Sequence, residues 1–243
     1  MSLTIFPLDL GTLTVDSSGL TLRKNTGTQI AIPCLGWLIL GGPEPVLVDT
    51  GPSEDVDWGS RNHNPFTRTS AQLLAAQLGE HRIASEEIRT VILTHLHWDH
   101  CYGNHLLPNA RFIVQRRELE YATAPLDCDR PIYETGIAQP PFLVGRDRFE
   151  LVEGDFEVFD GIGTVLMPGH SPGLQGVLVK AVNRRILIGS DHFPLFDNIT
   201  GNIPTGIVQS LPDWYAASAR ARSLCDFILP GHDGRVLERE FYS

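Results

Sequence analysis

The stretch Thr94-His95-Leu96-His97-Trp98-Asp99-His100 decides how this chain of 243 residues is interpreted. It places four potential metal ligands within six residues, directly after the apolar segment Thr90–Leu93, which is typical of a buried strand. Residues two apart on an extended segment point to the same side, so the first two histidines can bind one ion. The turn that follows can bring the aspartate and the last histidine to a second ion. The stretch therefore predicts a site for two metal ions.

Three further segments repeat this local design, in which an apolar run stops at a turn-forming residue and a histidine or aspartate follows. Such residues lie on loops held by a rigid scaffold, where functional side chains concentrate. We therefore expect four strand ends to converge on one site. The segments are Gly163–Met167 before Pro168-Gly169-His170, Arg185–Ile188 before Gly189-Ser190-Asp191, and Phe227–Leu229 before Pro230-Gly231-His232.

The ordered pattern of His-x-His-x-Asp-His, Pro-Gly-His-Ser-Pro-Gly, Gly-Ser-Asp and Pro-Gly-His-Asp resembles that of the metallo-β-lactamase superfamily. All seven ligand types occur in order, and the intervals that follow His100 are 70, 21 and 41 residues. The resemblance begins at about Val46, just before Val48-Asp49-Thr50-Gly51, and runs to His232, so it covers most of the chain. It implies an α/β fold of the four-layer αβ/βα sandwich type, whereas composition alone supports only a generic α/β domain. We expect residues 1–243 to form a single domain of this kind.

The resemblance also implies which residues bind which ion. The set lacks a thiolate, which suits zinc first but also iron, manganese, cobalt or nickel. Two divalent ions about 3.5 to 4 Å apart lower the pKa of a shared water enough for a hydroxide to attack a carbonyl carbon near neutral pH. In this interpretation His95, His97 and His170 hold one ion, Asp99, His100 and His232 hold the other, and Asp191 bridges them, while Asp99 also shuttles a proton.

Within the superfamily the pattern is most similar to the N-acyl homoserine lactonase-like branch. True β-lactamases usually have a cysteine among the ligands of the second metal, whereas Asp191 occupies the bridging position here. Lactonases of this branch often have a tyrosine three residues after the bridging aspartate, but this chain has Pro194, which cannot donate a hydrogen bond. The donor to the developing oxyanion must then come from elsewhere, and His192 and Tyr133 are the candidates. For His192 a structural or solvent-facing imidazole is the alternative. The expected reaction is the opening of a lactone or related cyclic ester of a small molecule.

Two alternatives stay open at this point. The first is a hydrolase of the same fold that acts on a thioester, an amide or a small phosphodiester. The second is an oxidoreductase that resembles the mononuclear iron persulfide dioxygenases and would hold one iron and consume oxygen. The set of seven ligands instead predicts two metals and no oxygen consumption.

Other residues are expected to support the site. Asp49 would accept a hydrogen bond from a metal-bound histidine, although an ordinary turn aspartate bonding its own backbone is the alternative. Cys101, next to His100, is expected to be a buried thiol rather than a ligand. His63, His81 and His105 have no motif around them and are expected to be surface or structural residues. An apolar pocket mouth could be lined by Trp58, Phe66, Tyr133, Phe142, Phe193 and Phe196, with core or rim packing as the alternative for each.

Composition agrees with a compact globular enzyme, and the resemblance implies a small-molecule substrate. The net charge is −10, from 29 acidic and 19 basic residues, which argues against nucleic acid as a partner. No secretory signal or long apolar run suggests export or a membrane partner. The four cysteines show no Cys-x-x-Cys pair, so a reducing, cytoplasmic location is expected. A homodimer is an open possibility.

The pattern of apolar residues predicts alternating strands and helices. Residues Thr123 to Val144, rich in proline and acidic residues, are expected to form a loop or cap over the site. Further strands are expected at Leu3–Leu10, Leu20–Arg23, Gly36–Leu40 and Val46–Val48, and helices at Ser70–Leu78, Gln115–Ala122 and Pro212–Leu224.

Overall fold

Two β-sheets form the centre of the molecule in a computed structural model that describes residues 2–135 and 140–243. The strands are β1 (Thr4–Asp16), β2 (Gln29–Leu40), β3 (Val46–Val48), β4 (Phe66–Thr67), β5 (Thr90–Ile92), β6 (Arg111–Gln115), β7 (Phe149–Val152), β8 (Phe156–Phe159), β9 (Ile162–Leu166), β10 (Gln175–Lys180), β11 (Arg185–Ile188) and β12 (Phe227–Leu229). In the described part of the chain, one sheet has the order β4-β1-β2-β3-β5-β6-β7 and the other has the order β12-β11-β10-β9-β8.

The helices flank the sheets and are mostly short. They are α1 (Val56–Asn62), α2 (Leu74–Glu80), α3 (Trp98–Cys101), α4 (Arg116–Thr123), α5 (Arg130–Tyr133), α6 (Phe196–Gly201) and α7 (Leu211–Leu224). The 3-10 turns lie at Ser17–Gly19, Ser70–Gln72, Ser85–Glu87, Tyr102–Leu106, Pro141–Leu143, Arg146–Arg148, Ser190–His192 and Gly234–Glu238.

The short strand β3 shows why these segments are apolar along their whole length. Successive side chains of a strand point to opposite faces. Val46 and Val48 contact the core between the two sheets, whereas Leu47 contacts the core on the outer face of the larger sheet. Strand β11 behaves in the same way, with Leu187 on the α7 side and its two neighbours between the sheets. Both faces are buried, so no polar alternation appears in the sequence.

Three apolar cores separate four layers. The first lies under α2, α3 and α4 on the larger sheet, the second lies between the sheets, and the third lies between the smaller sheet and α7. This arrangement confirms the predicted four-layer sandwich. The second core takes residues from both sheets, such as Trp37 and Ile188, so the two sheets share one interior. A single domain over residues 1–243 stays a prediction.

The direction of the strands explains why the predicted ligands meet. Strands β3 and β5 are parallel neighbours, so the turns after Val48 and Ile92 emerge at the same edge of the larger sheet. In the smaller sheet β9 and β11 are both antiparallel to β10, and β12 is parallel to β11. These three strands therefore run in one direction and also end together.

Most predicted elements are present, but one predicted strand is wrong. Residues Leu20–Arg23 form turns, because the Asp16 side chain accepts hydrogen bonds from the backbone of Ser18 and Gly27 and folds the chain back. A positive φ of 60° at Arg23 also interrupts any extended run. The predicted helix Ser70–Leu78 is divided into the 3-10 turn Ser70–Gln72 and α2.

The predicted loop at Thr123 to Val144 contains the short helix α5 and a 3-10 turn, with residues 136–139 outside the described part. Among the described residues, no helix combines the length and apolarity needed to cross a bilayer.

Candidate metal centre

Four strand ends deliver the predicted ligands to one place between the two sheets. The larger sheet supplies the residues after β5, and the smaller sheet supplies one residue after each of β9, β11 and β12. Two groups of side chains result, and within each group the potential ligand atoms lie within 4.8 Å of one another. The groups are His95, His97, His170 and Asp191, here called the first cluster, and Asp99, His100 and His232, here called the second cluster.

The first cluster turns three imidazole nitrogens towards one point. His97 Nδ1 lies 2.9 Å from His95 Nε2 and 3.1 Å from His170 Nε2. Tetrahedral nitrogen ligands at about 2.0 to 2.1 Å from zinc lie about 3.3 Å apart, so these spacings suit a shared ion. Asp191 Oδ2 completes the group at 3.6 Å from His170 Nε2 and 4.0 Å from His95 Nε2.

The second cluster uses the other oxygen of the same carboxylate. Asp191 Oδ1 lies 3.0 Å from His232 Nε2 and 3.3 Å from His100 Nε2. Asp99 Oδ2 lies 3.8 Å and 3.7 Å from the same two nitrogens. One oxygen of Asp191 thus faces each cluster, which is the geometry that a bridging carboxylate requires.

The outward nitrogens of the histidines show that the inward ones are free to bind a cation. His170 Nδ1 pairs with the Ile207 carbonyl at 2.8 Å, and His232 Nδ1 pairs with the Pro33 carbonyl at 2.9 Å. A carbonyl only accepts hydrogen bonds, so Nδ1 carries the proton and Nε2 presents a lone pair. His100 Nε2 is buried without a hydrogen-bond partner in the described part of the chain. Converging lone pairs of this kind fit a pair of metal ions.

Asp49 holds the loop that carries the second cluster. Its carboxylate accepts hydrogen bonds from the backbone N–H and the hydroxyl of Thr94, both at 2.7 Å. Its Oδ2 also lies 2.8 Å from His100 Nδ1, and the side chain is 2% exposed. This partner orients the His100 ring with Nε2 towards Asp191. Asp49 adopts a positive φ of 59°, so the turn after β3 aims this side chain at the site.

The electrostatics differ between the two clusters. Burial and the neighbouring imidazoles hold the pKa of His95 and His97 well below the usual range, which keeps their lone pairs available at neutral pH. Burial also lowers the pKa of His100, but the facing carboxylates, above all Asp191, outweigh burial and raise it well above the usual range. The pKa of His232 is raised in the same way. The carboxylates therefore stabilise positive charge in the second cluster, as a cation site requires.

The structure places His192 in the core between the smaller sheet and α7. Its ring is fully buried, its Nε2 lies 2.9 Å from the Ser218 hydroxyl, and it stacks on Trp214 with ring centroids 5.1 Å apart. Burial lowers the pKa of His192 to about 3, so the ring is neutral at physiological pH. These contacts correct the expectation of a proton donor at His192 and favour the structural alternative, because the ring is held by core partners.

Tyr133 lies against the first cluster, but its hydroxyl is engaged. Its ring meets the His97 ring edge-on with centroids 4.6 Å apart, while the hydroxyl donates to Glu118 Oε1 at 2.8 Å. Burial and the Glu118 carboxylate raise the pKa of Tyr133 well above its usual range, so the phenol keeps its proton. Tyr133 therefore shapes the surroundings of His97.

Three of the predicted pocket residues lie in the core. Core packing was the alternative that the sequence analysis kept for each of them. Phe66, Phe142 and Phe193 are at most 2% exposed, because their rings fill the two outer cores. Trp58 is half-buried and packs against Trp98, and Phe196 is half-buried beneath the Arg235 guanidinium. These two keep partial access to solvent.

Cys101 is buried and points its thiol to the Leu96 carbonyl at 3.5 Å. Burial raises the pKa of this thiol well above its usual range, which disfavours the thiolate that a metal ligand needs. The expectation of a packed thiol beside the site agrees with this placement.

Sequence reasoning missed two buried groups beside the site. Glu118 of α4 is fully buried and reaches both ligand loops of the first cluster. His63 stacks on Trp98 with centroids 4.1 Å apart, and its Nε2 lies 2.6 Å from Glu134 Oε1. No motif surrounds either group in the sequence, since their partners are 15 to 71 residues away. His63 was expected to be a surface or structural residue, and these contacts fit a structural role.

The fold and the two clusters together define an α/β-sandwich protein with the residues to hold two metal ions. The chain belongs to the metallo-β-lactamase superfamily, whose sequence model matches residues 31–232. The predicted family resemblance is thereby confirmed.

Two relatives of this chain are named as N-acyl homoserine lactonases. An N-acyl homoserine lactonase of Bacillus cereus is 31% identical over 181 residues, which are 70% of this chain and 67% of that protein. The N-acyl homoserine lactonase AttM of Azorhizobium caulinodans is 26% identical over 252 residues, 94% of this chain and 92% of that protein. These names agree with the predicted enzyme class, which is a metal-dependent hydrolase of the lactonase type.

Solved structures confirm the fold. A mutant of AiiA from B. thuringiensis with N-decanoyl-L-homoserine bound at its active site matches with a TM-score of 0.82 at 23% identity, covering 98% of this chain and 96% of that one. AidC, a dizinc quorum-quenching lactonase, matches with a TM-score of 0.73 at 16% identity, covering 96% of this chain and 88% of that one.

Proposed function

We propose that this chain is a dinuclear metal-dependent lactonase that opens the ring of N-acyl homoserine lactones or related small cyclic esters. The observation that carries the proposal is the Asp191 carboxylate, whose two oxygens face two separate clusters of imidazole and carboxylate ligands. The names of the relatives support the choice of a lactone ester.

The ligand assignment follows from the two clusters. When bound, the two ions would supply a hydroxide nucleophile at neutral pH and polarise the carbonyl of the substrate. Zinc is the first expectation for a site of histidine and carboxylate ligands without thiolate. His95, His97 and His170 would hold one ion, Asp99, His100 and His232 the other, and Asp191 both.

Asp99 is the residue best placed to move a proton. Its side chain is 13% exposed, more than the 11% of Asp191, so it lies at the open side of the second cluster. Ring opening adds one water, breaks the acyl C–O bond and leaves a hydroxyl on the former ring oxygen. A carboxylate at this position can accept the proton of the attacking water and deliver it to the leaving alkoxide.

The two candidate oxyanion donors already have partners inside the protein. The Nε2 of His192 is paired with Ser218, and the hydroxyl of Tyr133 is paired with Glu118. Pro194 can donate neither a proton nor a hydrogen bond through its side chain. We therefore assign neither His192 nor Tyr133 a direct contact with the reacting carbonyl.

Two clusters joined by one carboxylate favour two ions over the single iron of a persulfide dioxygenase. The cytoplasmic location is a further proposal, supported by four free cysteines. A homodimer stays a prediction.

The test is proton release, followed with a pH indicator, on acyl homoserine lactones, aromatic lactones, simple esters, thioesters, amides and small phosphodiesters. We expect zinc-loaded protein to open one lactone class rapidly, and His97→Ala to lose that activity. His105→Ala is the matched control, because His105 is an exposed histidine whose Nδ1 lies 3.0 Å from the Tyr102 carbonyl of its own turn. If protein that holds two metal ions releases no protons with any of the lactones, the proposal is overturned.

A further inference from the structure

Helix α4 carries a carboxylate that no water reaches. Glu118 is 0% exposed, whereas its neighbours Arg116, Arg117 and Glu120 on the same helix are exposed. Burying a charged group is costly unless hydrogen bonds replace its hydration. The contacts of this side chain therefore indicate what the buried charge contributes.

Four donors surround the two oxygens of Glu118. Oε1 accepts from the Leu96 backbone N–H at 3.1 Å and from the Tyr133 hydroxyl at 2.8 Å. Oε2 accepts from the Ser171 hydroxyl at 2.7 Å and from the Gly173 backbone N–H at 3.0 Å. Two donors on each oxygen fill the acceptor capacity of an ionised carboxylate.

Three of these four contacts lie next to a histidine of the first cluster. Leu96 separates His95 from His97, Ser171 follows His170, and the Tyr133 ring lies against the His97 ring at 4.6 Å. One side chain thus connects the loop after β5, the loop after β9 and the aromatic ring beside His97.

The backbone of the second loop is built to approach this helix closely. A Cβ atom at Gly173 would lie 2.4 Å from both the backbone nitrogen and the Cβ of Glu118. Only glycine allows this approach, and the approach brings the Gly173 N–H within reach of Oε2.

We propose that Glu118 is the positioning residue of the first cluster, and that it sets the metal affinity of that cluster without touching an ion. Asp49 does the same for the second cluster through His100, while its bonds to Thr94 hold the loop after β5 that both clusters share. Each cluster then has its own buried carboxylate, on α4 for the first and after β3 for the second. The inference rests on the two-metal site of the proposed function.

The test measures metal binding in each cluster separately. His232→Ala leaves the first cluster intact, and His97→Ala leaves the second intact, so Co²⁺ titrations of these two metal-free variants, followed by visible absorbance, report one cluster each. In the His232→Ala background, Glu118→Gln should weaken Co²⁺ binding roughly 10- to 100-fold, because the amide nitrogen presents hydrogens to two donors. In the His97→Ala background the same change should alter Co²⁺ affinity by less than about threefold.

Three controls separate positioning from general support of the fold. Glu120→Gln changes an exposed glutamate on the same helix and should leave both affinities unchanged. Glu118→Asp keeps the charge but shortens its reach, so its Co²⁺ affinity should lie between those of wild type and Glu118→Gln. Asp49→Asn should weaken Co²⁺ binding in the His97→Ala background, where Glu118→Gln leaves it almost unchanged, because Asp49 contacts His100 directly. Thermal melting of the metal-free variants, followed by circular dichroism, reports any loss of the fold.

Equal weakening of both clusters by Glu118→Gln would overturn the inference, and so would unchanged Co²⁺ affinity in the first. Wild type that binds two Co²⁺ ions but opens no lactone would reject the proposed function and leave this inference standing.

Discussion

Asp49 shows how much of the site depends on a single residue outside the ligand set. It accepts three hydrogen bonds, two from Thr94 and one from His100, and thereby connects the turn after β3 to the ligand loop. Partners of metal-bound histidines fix both the tautomer and the ring orientation.

We expect Asp49→Asn to lower the zinc content of purified protein after dialysis against a weak chelator. The amide has a single acceptor oxygen and cannot accept from both the Thr94 backbone N–H, now bonded to Oδ1, and His100, now bonded to Oδ2. The second ion should therefore be bound roughly 10- to 100-fold more weakly. Metal analysis by mass spectrometry provides the measurement. Asp16→Asn is the control, since Asp16 serves only a surface turn and should leave zinc content unchanged. Equal zinc content in the two variants would contradict the role of Asp49.

His192 gives a second prediction at the scale of one residue. His192→Gln should lower the midpoint of urea unfolding, because it removes the stacking on Trp214 and disturbs the bond to Ser218. The expected loss is about 1 to 3 kcal/mol. The kcat of the folded variant should stay within about threefold of wild type, since general acid catalysis is worth 10²-fold or more. A 100-fold loss of kcat with unchanged stability would instead support the proton-donor hypothesis.

At the scale of elements, the loops at the strand ends are fixed by close contacts with the layers above them. Gly169, before His170, has a φ of +144°, and a Cβ there would lie 2.7 Å from the Trp214 Cα of α7. Both Gln209 and Ser210 donate backbone hydrogen bonds to the Gly169 carbonyl. The start of α7 therefore helps to hold the His170 loop.

Gly169→Ala should destabilise the metal-free protein by about 1 to 3 kcal/mol from backbone strain, with a further loss from the clash with α7. It should also weaken metal binding in the first cluster, because His170 is the next residue. Urea unfolding and Co²⁺ titration test these two effects. Gly79→Ala is the matched control, since alanine favours a helix and, among the described residues, no atom beyond its chain neighbours and its own helix backbone lies within 4 Å of its Cβ position. A Gly169→Ala protein as stable as Gly79→Ala would contradict this account.

At the scale of the whole molecule, the metal centre joins the two halves of the sandwich. The loop after β5 in the larger sheet supplies His95, His97, Asp99 and His100, and the smaller sheet supplies His170, Asp191 and His232. An ion bound by both sets stabilises the native arrangement of the sheets, because the unfolded chain does not present this geometry.

Metal removal should therefore lower the melting temperature as well as abolish activity. A free ion concentration of 100 times the Kd stabilises the folded state by about 2.7 kcal/mol. For a chain of this size this raises the melting temperature by roughly 5 to 10 °C. Melting curves over a series of free zinc concentrations measure the shift. His97→Ala should show a smaller zinc-dependent shift than wild type. A melting temperature independent of zinc, in protein that needs zinc for activity, would contradict a structural link between the sheets.

The sequence by itself was sufficient to predict which side chains cluster and which strands carry them. Strands β3, β11 and β12 begin and end where the apolar runs predict, because burial on both faces leaves a continuous apolar signal. The ligand order was visible because each ligand directly follows such a run. Local patterns thus predicted the strands and the composition of the site, and the family resemblance of the motifs implied the layered fold. Leu20–Arg23 was misread because side-chain capping by Asp16 competes with strand propensity there.

Only the tertiary structure decided how these residues are oriented and supported. The two oxygens of Asp191 face different clusters because residues from both sheets meet at this point. The His192 ring lies in the core because it pairs with Ser218 and stacks on Trp214. Glu118 has no local signal, since its donors come from three separate segments of the chain. Which buried polar groups are hydrogen-bonded depends on contacts between residues far apart in sequence. A local sequence pattern cannot predict such contacts.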